Sequence, residues 1–234
     1  MSEAARDRFR RLAVLDNAAL CVAVWRAHGL EVRRGDGLVM CSGHPPSFYP
    51  NAITVDATAD PGAQSLVLAR LAAESGARGV SVKDGFQRLE LTPHGYTRLF
   101  DAEWIHRAPG PTAAPALDWR LVETADDLAA WEAALCGRGE TFQAIFKSNL
   151  LADGSLGIFA GWRDDAIVAG VVLSPTDTVV GVSNVFGDHA EALAIAGKVF
   201  PTRALVGYER DGSLQTARAL GFEPIGGLTV WSTP

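Results

Sequence analysis

Between residues 205 and 231 the alternation of apolar and polar positions changes period twice. "LVGYE" and "IGGLTVW" are β-rich, and the "SLQTARAL" between them repeats its apolar residues at helical spacing. The pattern predicts a strand over 203–209, a helix over 212–220 with Asp211 as N-cap and Gly221 as C-cap, and a last strand over 225–232.

The same reading extends upstream. Trp119 to Glu123 has strand character, and Thr124 with Asp127 three residues on is a weak capping box for a helix whose apolar face is Leu128, Trp131 and Leu135. Phe142, Ile145, Phe146, Asn149 and Leu150 then mark one side of a second helix ending near Asp153-Gly154. "SLGIFAGW", "AIVAGVVL" and "TVVGVSNVF" follow as three strands whose short turns force antiparallel pairing. A helix over 188–199, stopped by Pro201, completes the order β-α-α-β-β-β-α-β-α-β.

The first half carries a shorter version. "FYPNAITVDA" predicts a strand, Asp60-Pro61 a helix cap and first turn, and "RGVSVKDGF" a strand ending in the same Asp-Gly as "ALVGYERDG". "YTRLFDAEWI" is parallel to "TARALGFEPIGGLTV", which suggests an internal duplication. Before it, Phe9, Leu12, Leu15, Ala19, Val22 and Trp25 recur at roughly helical spacing and predict an amphipathic helix with its arginines in water. "RAPGPTAAPALDW" in the middle of the chain, rich in Pro and Ala, predicts a linker or an extended connection. The expected domains are therefore 1–107, truncated, a linker over 108–117, and 118–234, complete; the fold class is α+β, with mixed, mostly antiparallel sheets flanked by helices.

Composition narrows the chemistry. Three scattered cysteines and five scattered histidines have no metal-site or disulfide-framework spacing, so no metal is expected. No stretch reaches the ~20 apolar residues of a membrane span, and a cytoplasmic protein without membrane contact is the expectation. Residues 1–117 hold 13 Lys/Arg against 12 Asp/Glu, whereas 118–234 hold 8 against 15. That acidic second half argues against nucleic acid and suits a cationic ligand such as an amine.

The element order, with Ala-x-x-Leu-Gly-Phe (217–222) before the last strand, resembles the GCN5-related N-acetyltransferase superfamily, in the form of tandem domains. The resemblance implies an acetyl-CoA-dependent transfer to a small or peptidic amine. It implies that "VGVSNVF" and "RALVGYE" are two splayed parallel strands, with the acyl-CoA pantetheine between them and its pyrophosphate on the next helix start. Val185, Phe186, Gly187, Asp188, His189 and Ala190 would then bind the cofactor, and Ser183 and Asn184 the acceptor. Glu209, at the strand end, is the candidate base, with Tyr208 beside it as a second catalytic candidate on the opposite face of a regular strand. The chain departs from the family pattern in two places. "FGDHAEAL" lacks the Arg or Gln and one of the two small residues of the phosphate loop and adds Asp188 and Glu191; the tyrosine four residues before the Gly-Phe glycine is Ala217. Two other readings are a non-catalytic domain of this architecture that binds a ligand or partner, and a structural protein that forms a homodimer without a cleft.

Overall fold

The computed structural model describes residues 1–76, 79–137 and 144–234. In chain order the regular elements are α1 (Glu3–Ala27), β1 (Val32–Gly35), β2 (Leu38–Cys41), β3 (Ala52–Thr54), α2 (Pro61–Ser75), β4 (Ser81–Asp84) and β5 (Thr97–Arg107). They continue with β6 (Asp118–Leu121), α3 (Ala125–Cys136), β7 (Gly157–Arg163), β8 (Ala166–Pro175), β9 (Val179–Phe186), α4 (His189–Val199), β10 (Ala204–Glu209), α5 (Asp211–Ala219) and β11 (Glu223–Ser232). The fold is α+β, with strand pairing that is mixed and mostly antiparallel.

Two compact units form, residues 1–104 with 225–234, and residues 105–224. These limits differ from the expected 1–107, 108–117 and 118–234. The last strand is the reason: β11 pairs antiparallel with β4, from Thr229 opposite Asp84 to Ser232 opposite Ser81, so the C-terminal residues join the first unit.

In that first unit β3 and β4 are parallel and joined by α2, which starts as its cap predicts, Asp60 Oδ2 accepting from the Ala63 amide at 2.8 Å. Leu38, Leu68, Leu91 and Trp231 are among the side chains of its core. α1 keeps only part of its expected apolar face inward: Val22 and Trp25 are buried and Phe9 and Leu12 half-buried, but Leu15 is 50% exposed, while Asp16 and Asn17 are buried. The partner on β4 explains this: buried Lys83 donates through Nζ to Asn17 Oδ1 at 2.7 Å, and a buried ammonium requires such polar company. "YTRLFDAEWI" gives strand alone. A 3-10 turn, Thr92–His94, stands where the duplication implied a short helix.

The second unit has the strand order β10-β9-β8-β7-β6, with β9 and β10 parallel and the rest antiparallel. Thr124 caps α3 as expected, its Oγ1 accepting from the Asp127 amide at 3.1 Å. The second helix expected after it does not extend through the described residues from 144 onward; Phe142 lies outside them. Only a 3-10 turn, Ser148–Ala152, forms there, because the Ile145 and Phe146 amides donate to Glu132 Oε1 at 2.8 and 2.7 Å rather than to a helical ladder. Asp211 also departs from expectation. It is the first residue of α5, with φ +51, and no side chain caps that helix. Its C-terminus does close as predicted: Gly221 takes φ +85 and the Phe222 amide reaches the Ala217 carbonyl at 3.0 Å.

The stretch 108–117 has no regular structure, yet it is tied down within the second unit. Arg107 Nε donates to the Leu220 carbonyl at 3.1 Å and its Nη2 to the Pro111 carbonyl at 3.2 Å. Glu191 in the first turn of α4 accepts from the Ala116 and Leu117 amides at 2.9 and 3.1 Å and from the Trp119 indole at 3.1 Å.

Candidate active site

The site is made by an interruption of the β9–β10 pairing. These parallel strands pair at Ala204–Val179, Leu205–Val180 and Val206–Gly181, and the register goes no further. On the other side of β9, Val172 faces Ser183 and Gly170 faces Phe186, so β9 spends one residue more than β8. That is a β-bulge, and Asn184 with φ +51 supplies its bend. A bulge twists the strand locally, which here turns β9 from β10 just beyond the last pair. Gly207 sits at the parting, where a Cβ would come within 2.7 Å of the Val182 carbonyl oxygen. A larger residue would push the two strands apart at their closest point.

Beyond the parting lies a cleft with about 380 Å³ of open space, part of it continuous with solvent. Val182 and Val185 come from β9, Gly207 and Glu209 from β10, and His189, Ala192 and Leu193 from α4. Ala217, Leu220 and Phe222 line it from α5 and its C-terminus. The wall is thus apolar except for His189 and Glu209. Burial pushes the Glu209 carboxyl above its ordinary range.

The structure brings three of the ten expected site residues into this cleft: Val185, His189 and Glu209. Tyr208, one step along β10, alternates to the opposite face from Gly207 and Glu209. Phe186 packs elsewhere. Its ring meets Trp131 edge-on with centroids 5.3 Å apart and lies over Gly170, whose missing side chain leaves the room. The cleft is therefore not plugged by this phenylalanine. Ser183 and Asn184 sit on the bulge, where the Asn184 amide donates to the Ser183 hydroxyl at 3.1 Å. Gly187 has φ +75 and a Cβ there would clash with the Val168 carbonyl, so the turn into α4 requires glycine. Ala190 is exposed on the first turn of α4.

Asp188 is the N-cap of α4, its Oδ1 accepting from the Ala190 amide at 2.8 Å. Glu191, which the sequence put beside the same helix start, is engaged with residues 116, 117 and 119 instead. Partial burial pushes its carboxyl up, and the bonds from the Ala116 and Leu117 amides and the Trp119 indole, with Arg163 nearby, outweigh that and hold it below the usual range. The sequence reading missed Gly207, Ala192, Leu193, Leu220 and Phe222. Three of them had a legible signal, since Ala192 and Leu193 follow His189 at i+3 and i+4 on one helix face, and Gly207 precedes Glu209 at i+2 on one strand face.

No family model matches the sequence, and no curated protein matches it either. Solved structures do match. A GCN5-related N-acetyltransferase from Kribbella flavida superimposes with a TM-score of 0.61 at 19% identity, over 93% of this chain and 95% of the other. A GCN5-related N-acetyltransferase from Sphaerobacter thermophilus gives 0.55 at 13% identity, over 93% and 91% of the two chains. The chain has the GCN5-related N-acetyltransferase fold. A functionally unknown conserved protein from Staphylococcus epidermidis shares it, with a TM-score of 0.62 at 10% identity over 86% of this chain and 92% of the other. The superposition on the Kribbella flavida protein includes residues of both compact units. No described helix is long and apolar enough to cross a membrane.

The parts of an acyl-CoA, the donor expected from the sequence resemblance, would fit the site unequally. The strand parting, floored by Gly207 and walled by Val182, Val185 and Leu193, suits an uncharged, narrow pantetheine arm. The start of α4 does not suit a pyrophosphate, because the carboxylate of Asp188 already accepts a hydrogen bond from its first turn.

Proposed function

We propose that this chain is an acyltransferase, moving an acetyl or similar small acyl group from a thioester to a small or peptidic amine in the cleft of the second unit. The observation that carries the reading is the parting of β9 and β10 with a half-buried carboxylate, Glu209, in a cleft that is apolar apart from it and His189. The likeness of fold supports it. The donor supplies an activated carbonyl; everything else is the work of the chain. Glu209, raised by burial, takes the proton from the attacking ammonium, directly or through water. The C–N bond forms as the C–S bond breaks, the nitrogen sheds its second proton to solvent, and the departing thiolate is protonated from solvent, since Ala217 has no proton to give. The acidic balance of residues 118–234 attracts a cation.

Gly85, just past β4, has Val14 of α1 against it, so the helix covers that position.

A second reading, a non-catalytic ligand-binding protein, is favoured by one observation: the residue at the usual tyrosine position is a buried alanine. Glu209→Gln separates the two. Under the acyl-transfer reading the variant loses most of its turnover, on the order of 10²-fold or more, and the acid limb of the pH–rate profile disappears. Wild-type turnover should climb with pH through a pKa above that of an ordinary glutamate, since only the carboxylate accepts the proton. An unchanged turnover and an unchanged profile in Glu209→Gln would remove Glu209 from the chemistry. Absence of turnover in the wild type with every amine and acyl thioester tried, together with thermal stabilisation by the thioester, would favour the second reading.

A further inference from the structure

We propose that the cleft recognises the pantetheine arm of its thioester donor and discriminates against a diphosphate attached to it, with Asp188 as the residue that sets this preference. The inference rests on the acyl-transfer reading and concerns which portion of the donor is bound.

A helix N-terminus attracts phosphate because its first-turn amides are unsatisfied and its dipole is positive there. In α4 one of those first-turn amides is already engaged by a carboxylate of the chain: Asp188 Oδ1 accepts from the Ala190 amide at 2.8 Å. An anion built into the chain holds the place that a free one would take. A diphosphate arriving there must displace the cap, approach a carboxylate, or both. The first turn, His189-Ala190-Glu191, offers no Lys or Arg in compensation, and Glu191 is turned to the 116–119 segment.

The cleft gives the second, independent observation. His189, the N1 residue of α4, lines it, so a donor lying in the cleft has the capped helix start beside it. Val185, Leu193 and Leu220 line the cleft with apolar surface, which recognises an uncharged arm by burial and does nothing for a charged one. The chain thus keeps the contacts suited to the arm and sets a carboxylate where the diphosphate would lie.

Calorimetric titration with acetyl-pantetheine and with acetyl-coenzyme A tests this, on the wild-type chain and on Asp188→Asn. The asparagine keeps an oxygen for the Ala190 amide and removes only the charge; Asp188→Gly additionally frees the amide, and thermal melts check that both variants fold. In the wild type acetyl-pantetheine should bind about threefold or more tighter than acetyl-coenzyme A. In Asp188→Asn acetyl-coenzyme A should bind roughly tenfold tighter, equivalent to ~1.4 kcal/mol, with acetyl-pantetheine unchanged. Wild-type preference for acetyl-coenzyme A by tenfold or more, unaltered in either variant, would overturn this inference and leave the acyl-transfer reading standing. An equal gain for both ligands would also overturn it, since the charge would not be acting on the diphosphate. If neither ligand binds any of the three proteins, both this inference and the reading beneath it fall.

Discussion

Replacing Glu191 by alanine isolates the attachment of the mid-chain segment to α4. One carboxylate accepts from the Ala116 and Leu117 amides and from the Trp119 indole, at 2.9 to 3.1 Å. Hydrogen bonds to a charged acceptor contribute about 1.5–3 kcal/mol each where water is excluded. These three are exposed or half-buried, and the freed N–H groups can turn to water, so the summed loss is about 2–3 kcal/mol rather than three full bonds. For a domain of this size that lowers Tm by roughly 4–12 °C. The local readout is sharper: hydrogen exchange at Ala116 and Leu117 should accelerate by roughly 30- to 150-fold if those amides open with the lost free energy, and Trp119 emission should shift to the red. The pH dependence has a definite sign. Because the folded Glu191 titrates below its ordinary pKa of 4.5, its contribution is present above that value and fades as pH falls through the lower folded one, so Glu191→Gln should flatten the acid limb of the stability curve. Unchanged exchange at 116 and 117 with an unchanged Tm would refute the idea that this carboxylate anchors the segment.

Other outcomes follow from single contacts. Gly187→Ala places a Cβ against the Val168 carbonyl at φ +75 and should cost on the order of 2–3 kcal/mol, read by denaturant melts, with loss of ligand binding if the turn into α4 shifts. Tyr96→Phe removes a 2.9 Å bond from the buried phenol to the Leu68 carbonyl and should cost about 1 kcal/mol. Burial pushes that phenol up to about 12, so the same variant should also delete the ionisation step near that pH from an ultraviolet titration. Lys83→Met leaves buried Asn17 without its Nζ donor and should destabilise the fold by about 2–4 kcal/mol; a gain in stability would mean that the buried ammonium was a net cost.

Local chemistry was legible wherever a short segment decides its own structure. Asp60-Pro61, Thr124 and Gly221 act where the sequence placed them because caps are set by neighbours within a turn. The three antiparallel strands between 157 and 186 were equally plain, since turns too short for a crossover leave no other pairing. The position of Glu209 at the end of β10 was legible locally, whereas the strand gap beside it was expected only from the family resemblance.

What the tertiary structure alone decided involves partners far apart in sequence. The inward face of α1 depends on a lysine 66 residues from Asn17, and no helical period contains that information. The expected helix around Phe146 fails because Glu132, 14 residues earlier, takes its amides. The two acidic residues of the α4 start looked equivalent in sequence, yet Asp188 caps the helix while Glu191 holds residues 116, 117 and 119. β11 joins the first unit because pairing free energy depends on which edge a strand meets, and that edge, β4, is far from it along the chain. Sequence determined the elements and their ends; long-range contacts determined which faces turn inward and where the cleft opens.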